Sequence, residues 1–154
     1  MKNKLVIIIC AIAILLIICG GYFILTSNQT IKYENVTLNT NDFEFFDMDT
    51  PEGSNFTIKN KANNMIYYQN NGSYADEFSG IIINKGLSDD LIGENNEIIL
   101  NNTNEQIYSS VLKNKTIYKI VTNYGDVDVI LIGDNLNLLK EVSNTTQIKK
   151  TELN

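Results

Sequence analysis

Apolar residues fill positions 5–25 without a break, and beyond them the chain alternates in short stretches punctuated by Asn, Gly and Asp. The block carries no charge over twenty-one residues. As a helix it would be about 31 Å long, enough to cross the hydrocarbon core of a bilayer. A secretory signal has a shorter apolar core, about 7 to 15 residues, ending in a small-x-small cleavage site. Here Gly20 and Gly21 run on into Tyr22, Phe23, Ile24 and Leu25, and no small pair precedes Thr26 or Ser27 at that spacing. Ile9 and Ile18 precede Cys10 and Cys19, so neither cysteine follows the small residue of a lipoprotein site. The pattern favours a retained signal-anchor over a cleaved signal. Both cysteines read as apolar fillers, with acylation the alternative.

Lys2 and Lys4 precede the block, and the next lysine is Lys32. Positive charge stays on the cytoplasmic side, which puts the amino terminus inside and the rest of the chain outside the cell membrane. The expected division is a cytoplasmic terminus over 1–4, a transmembrane anchor over 5–25 and a tether over 26–30. An extracytoplasmic domain over 31–143 and a polar, frayed tail over 144–154 complete it. That length suits one domain.

Within the domain, residues 31–38 alternate loosely with Ile31, Tyr33 and Val36 as inward candidates, and 42–48 carry Phe43, Phe45 and Phe46. Thr50-Pro51-Glu52-Gly53 is a turn signal and holds the single proline. Residues 55–59 show period-two alternation, and 65–69 and 73–83 flank Asn70-Asn71-Gly72, a hairpin signal. Residues 116–123 and 126–132 form a strand pair around Tyr124-Gly125, expected deep in the sheet because Val127, Val129 and Leu131 share a face. Asp134 is placed to cap a short helix with Leu136, Leu139 and Val142 on one side. Residues 104–112 suit a second helix through Ile107, Val111 and Leu112, and 87–92 a helical turn. The expected fold is α+β: a transmembrane helix, then a small antiparallel-sheet domain with one or two helices packed on one face.

The lysine-flanked anchor, the stretch from Phe43-Glu44-Phe45 to Pro51-Glu52-Gly53, and the closing strand, hairpin and helix over 113–142 resemble small single-pass surface proteins of methanogenic archaea. The resemblance implies a small anchored α+β domain outside the membrane and brings no catalytic residues to transfer.

Charge and composition remove many chemistries. Beyond residue 25 stand ten lysines and eighteen acids, a formal charge of about −8, which argues against a nucleic-acid partner. The chain has no histidine, no arginine and no tryptophan, and no cysteine beyond Cys19. Triads therefore lack a general base, and soft-metal, haem and zinc sites lack their usual ligands. No Gly-rich phosphate loop follows a strand, and no cofactor is expected. Carboxylates remain: Asp47-x-Asp49, Asp76-Glu77, Asp89-Asp90 and Asp126-x-Asp128. On an alternating strand Asp126 and Asp128 would share a face, which makes them the candidate calcium pair, against the reading of solvated surface residues.

The twenty-three asparagines reflect AT-rich codon usage, yet they also create seven N-x-[ST] sequons, at Asn28, Asn35, Asn55, Asn71, Asn101, Asn114 and Asn144. Tyr67, Tyr68, Tyr74 and Tyr108 would suit a sugar or protein partner if exposed together, and would be core residues if not. The expected function is a non-enzymatic, membrane-anchored extracytoplasmic domain that binds a protein or cell-envelope component. The alternatives are a carboxylate-based calcium-dependent or glycoside-directed enzyme, and an accessory subunit of a membrane complex. A flat face or exposed sheet edge favours binding; two converging carboxylates in a cleft favour the enzyme.

Overall fold

The alternating stretches form strands in the computed structural model, which describes residues 30–40, 44–62, 64–85, 92 and 96–150. In chain order the elements are β1 (Tyr33–Asn39), β2 (Glu44–Pro51), β3 (Phe56–Ala62), β4 (Met65–Asn70), β5 (Gly80–Lys85), β6 (Glu97–Asn101), β7 (Glu105–Leu112), β8 (Lys115–Asn123), β9 (Val127–Gly133), α1 (Leu136–Thr145) and β10 (Gln147–Lys150). The chain divides into Met1–Ile31 and Lys32–Asn154, and every element belongs to the second unit. The expected anchor over 5–25, Asn28, Phe43 and residues 87–91 of the expected helical turn lie outside the described residues. Among those described, no helix is long and apolar enough to cross a membrane.

Among the described residues all pairing is antiparallel and falls into two sheets, β1-β2-β10 and β3-β4-β5-β9-β8-β7-β6. The α+β expectation holds, with one described helix and with two sheets instead of one. β9 is the middle strand of the seven, and six of its seven residues are buried. Its run of valine, isoleucine and leucine suits a strand covered on both faces. The register aligns Tyr68, Ile81, Leu131, Ile120 and Ile107 in one row across five neighbouring strands, each buried. The small sheet supplies Phe46 and Met48 to the core, and α1, packed on β2, β8 and β9, supplies Leu138, Leu139 and Val142. Fully burying each such side chain contributes about 1.5–3 kcal/mol. Tyr108, Val121 and Ile130 form a smaller cluster, with Ile82, Ile92 and Ile132 against it. Their place in the register, one residue out of step with the main row, sets them on the opposite face.

Several expectations are corrected. Residues 105–112 are strand β7, not a helix. Ile107 and Val111 are four apart, a spacing that fits both a helical face and one side of a strand. Their β-branched side chains, with Tyr108 between them, favour the strand. The helix cap is Asn135 in place of Asp134, and its side chain accepts from the Leu138 N–H at 3.2 Å. Gln147–Lys150 belongs to the fold, since β10 pairs with β2. Lys149 of β10 forms an ion pair with Asp47 of β2, which also accepts from Thr37 at 2.7 Å. These two donors hold the Asp47 carboxyl below the usual carboxylate range, against its burial.

Asn70-Asn71-Gly72 does not form a two-residue hairpin. β4 and β5 are joined by the longer excursion 71–79. The reason is the Asn70 side chain, which is buried and fully engaged. Its Oδ1 accepts from the N–H groups of Asn55 and Gly72, each at 3.0 Å. Its Nδ2 donates to the carbonyls of Ser73 and Phe78, each at 3.0 Å. One amide thus joins the start of β3 to both ends of the excursion. Beside it, Pro51 to Ser54 closes a turn in which Gly53 sits at φ +83°, where a side chain would be strained. The excursion lies so close to β9 that a Cβ on Gly133 would meet the Glu77 carbonyl at 1.9 Å.

Two outcomes follow. Asn70→Asp replaces two donors with acceptors aimed at carbonyls, and should cost about 3 kcal/mol or more in chemical denaturation. Asp47 has a lowered pKa in the folded state, so its contribution is complete above about pH 4 and is lost as pH falls through that lower value. Asp47→Asn should flatten this acid-side loss in a pH series of unfolding midpoints.

Candidate interaction edge

The two outer strands of the large sheet differ in how they meet solvent. β3 is exposed along most of its length, carries Lys59 and Lys61, and is irregular between Ile58 and Asn60. Lysines guard an edge against pairing with another strand, whereas the bulge between Ile58 and Asn60 has a counterpart on β6. β6 reads Glu97-Ile98-Ile99-Leu100-Asn101 and has no lysine. All five residues are exposed, with Ile98 at 57%, Ile99 at 47% and Leu100 at 39%. Its register shifts between Ile98 and Leu100, which leaves Ile99 as the extra residue of a bulge. Among the described residues no strand pairs with its outer side. Leu100 pairs with Ile107 and so continues the buried row outward to the edge.

β7 and β8 continue past their neighbours. Tyr118 is the last β8 residue paired with β9, and Ser109 the last β7 residue paired with β6. Beyond them Ser110, Val111 and Leu112 pair only with Ile117, Thr116 and Lys115, so the tip is a two-stranded ribbon. Lys113 and Asn114 close it, both at positive φ, +50° and +64°. That is the two-residue hairpin with positive φ at both central positions, usually served by Asn-Gly. Val111 is 75% exposed and Leu112 62%.

Among the described residues the paired carboxylates do not converge, and Asp89-Asp90 lies outside them. Asp126 lies in the turn before β9 and is exposed, whereas Asp128 is buried in β9 and accepts from the Asn123 side chain at 2.8 Å. The expected shared strand face fails because Gly125, at φ +81°, turns the chain and β9 begins only at Val127. Asp49 accepts from Asn35 at 3.1 Å, and Glu77 from Asn135 at 2.9 Å. Among the described residues no group of three or more acidic, histidine or cysteine side chains could hold a metal ion. An open groove of about 550 Å³ lies by the start of α1, lined by Glu77, Lys115, Tyr118 and Asp134 among others. Its lysine is paired with Asp134 at 3.4 Å.

The tyrosines do not form one exposed patch either. Tyr68 and Tyr108 are buried, and Tyr67 and Tyr74 are half-buried. Burial raises the Tyr68 pKa, and its hydroxyl donates to the Asn39 carbonyl at 2.6 Å. Of the sequon asparagines, Asn35, Asn55, Asn71, Asn101, Asn114 and Asn144 are all exposed. The local signal for β6 is only a short apolar run between Asn96 and Asn101.

No family model matches the chain, and no curated protein or solved structure shows significant similarity to it.

The tip makes a prediction about stability. Substituting Asn-Gly for Lys113-Asn114 puts a residue that tolerates positive φ at the first position and removes the side chain at the second, and should raise stability by roughly 0.5–1 kcal/mol in chemical denaturation.

Proposed function

We infer that this chain is a membrane-anchored extracytoplasmic domain that binds a protein or cell-envelope component without catalysis, by lending the β6 edge to a strand of its partner. The observation that carries this is the contrast between the two edges. One is guarded by lysines; the other presents three consecutive aliphatic residues and, among the described residues, no strand on its outer side. A strand added there gains main-chain hydrogen bonds, while the side chains of Ile98, Ile99 and Leu100 lose contact with water. Apolar burial of this kind contributes about 25 cal/mol per Å². The uncharged block over 5–25, preceded by Lys2 and Lys4, supports the anchor and its orientation. The exposed sequon asparagines suit a glycan-decorated surface.

The test uses the full chain in its native membranes with a photoreactive residue at Ile98 or, on the guarded edge, at Lys61. Position 98 should capture a defined partner and position 61 should not. Ile99→Lys should weaken that association at least about tenfold, the equivalent of 1.4 kcal/mol, without lowering the unfolding midpoint. Capture that is indifferent to Ile99→Lys, or that occurs from position 61 alone, assigns binding to another surface.

A further inference from the structure

The groove by the start of α1 is assembled from segments far apart in the chain: the start of β8, the excursion 71–79 and the link from β9 to the helix. Gly133, the last residue of β9, makes this possible. It has no side chain, and the backbone of Glu77 crosses the space that one would take. Asn135 then holds Glu77 twice, its N–H donating to the Glu77 carbonyl at 3.3 Å and its Nδ2 to the carboxylate at 2.9 Å. The same side chain caps α1 through its Oδ1. Glu77 and Asn135 therefore stand in fixed places before a ligand arrives, and a ligand need not order them.

Tyr118 is the aromatic member of the wall and is half-buried. The residues directly opposite it in the register are Ser109 on β7 and Gly133 on β9, so neither sets a bulky side chain beside its ring. Such a ring offers an apolar face to the C–H groups of a sugar and a hydroxyl at its tip. Around it stand acceptors in Glu77 and Asp134, donors in Lys115, and both in Thr116 and Asn137. A ligand hydroxyl both donates and accepts, so a polyol engages this mixed set where a simple ion uses only half of it. One lysine stands against two carboxylates, and the excess negative charge disfavours anions. A volume of about 550 Å³ falls within the range of small-molecule sites, roughly 300–1,000 Å³. A wall this polar suits a ligand whose hydroxyls take the place of water.

We propose that this groove binds a short stretch of neutral saccharide, with Tyr118 stacked on a sugar ring and Glu77, Lys115 and Asn137 on its hydroxyls. It is a second binding surface, built without any residue of β6, and it stands or falls independently of that edge. The full chain is kept in a detergent without a sugar headgroup and titrated with mannotriose, cellotriose and chitotriose, with trigalacturonate as the anionic comparison. Saturation-transfer NMR reads contact with each sugar, and the titrations give the affinities.

The expected result is binding of at least one neutral trisaccharide, tighter than that of trigalacturonate. Tyr118→Ala should weaken it at least about fivefold, whereas Tyr118→Phe, which keeps the ring, should stay within about twofold. Asn137→Trp fills the groove from an exposed position of α1 and should weaken binding as much, which keeps the test decisive if Tyr118→Ala fails to fold. Lys61→Ala on β3 should leave the affinity unchanged. Binding of none of the three neutral sugars overturns the proposal, as does tighter binding of trigalacturonate. Sugar binding that is indifferent to both Tyr118→Ala and Asn137→Trp places the saccharide on another surface and also overturns it.

Discussion

One row of apolar side chains organises this domain. Tyr68, Ile81, Leu131, Ile120 and Ile107 stand side by side across β4, β5, β9, β8 and β7, and the pairing registers have to agree for them to do so. A slip of one residue in any strand would turn its member of the row to the opposite face. The small sheet and α1 exist, in physical terms, to cover this row. Phe46 and Met48 come from β2, and Leu138, Leu139 and Val142 from the helix. At its two ends the row continues as Ile58 on β3 and Leu100 on β6, both exposed.

Those two ends explain why the edges differ in what they can do. Where the row reaches β3, lysines stand beside Ile58 and oppose further pairing. Where it reaches β6, Ile98 and Ile99 accompany Leu100, and all three are exposed. The domain is thus asymmetric along its strand order. Along its strand direction the asymmetry is different: the Asn70 amide and the Gly53 turn gather the first strands at one end, and the β7–β8 ribbon leaves from that same end. The β6 edge and the ribbon tip are both built on β7.

Legibility followed the strength of local pattern. β8, β9 and α1 are readable because Val127, Val129 and Leu131 alternate, Gly125 permits the turn between the strands, and Leu139 and Val142 recur three apart. β7 is ambiguous in the sequence because Ile107 and Val111 are four apart, a separation common to both periods. The hairpin that would have corrected it is closed by Lys113-Asn114, which lacks the usual glycine. β10 is four residues long and half lysine, so nothing in Gln147–Lys150 by itself distinguishes a strand from a tail. It is a strand because β2 offers backbone partners and Asp47 offers a counter-charge. Asp126 and Asp128 illustrate the limit for sites: two residues apart in sequence, they are separated by the point at which a turn becomes a strand.

By itself the sequence determined the apolar block and its flanking lysines, the acidic balance beyond it, the antiparallel α+β class and the absence of imidazole and guanidinium chemistry. These are local or additive properties, set by which residues are present and at what spacing. Tertiary structure alone decided which strands became edges, which tyrosines were buried and from which end of the sheet the ribbon leaves. Those depend on strand order and register, which come from long-range pairing among residues far apart in the chain, and no local pattern encodes them.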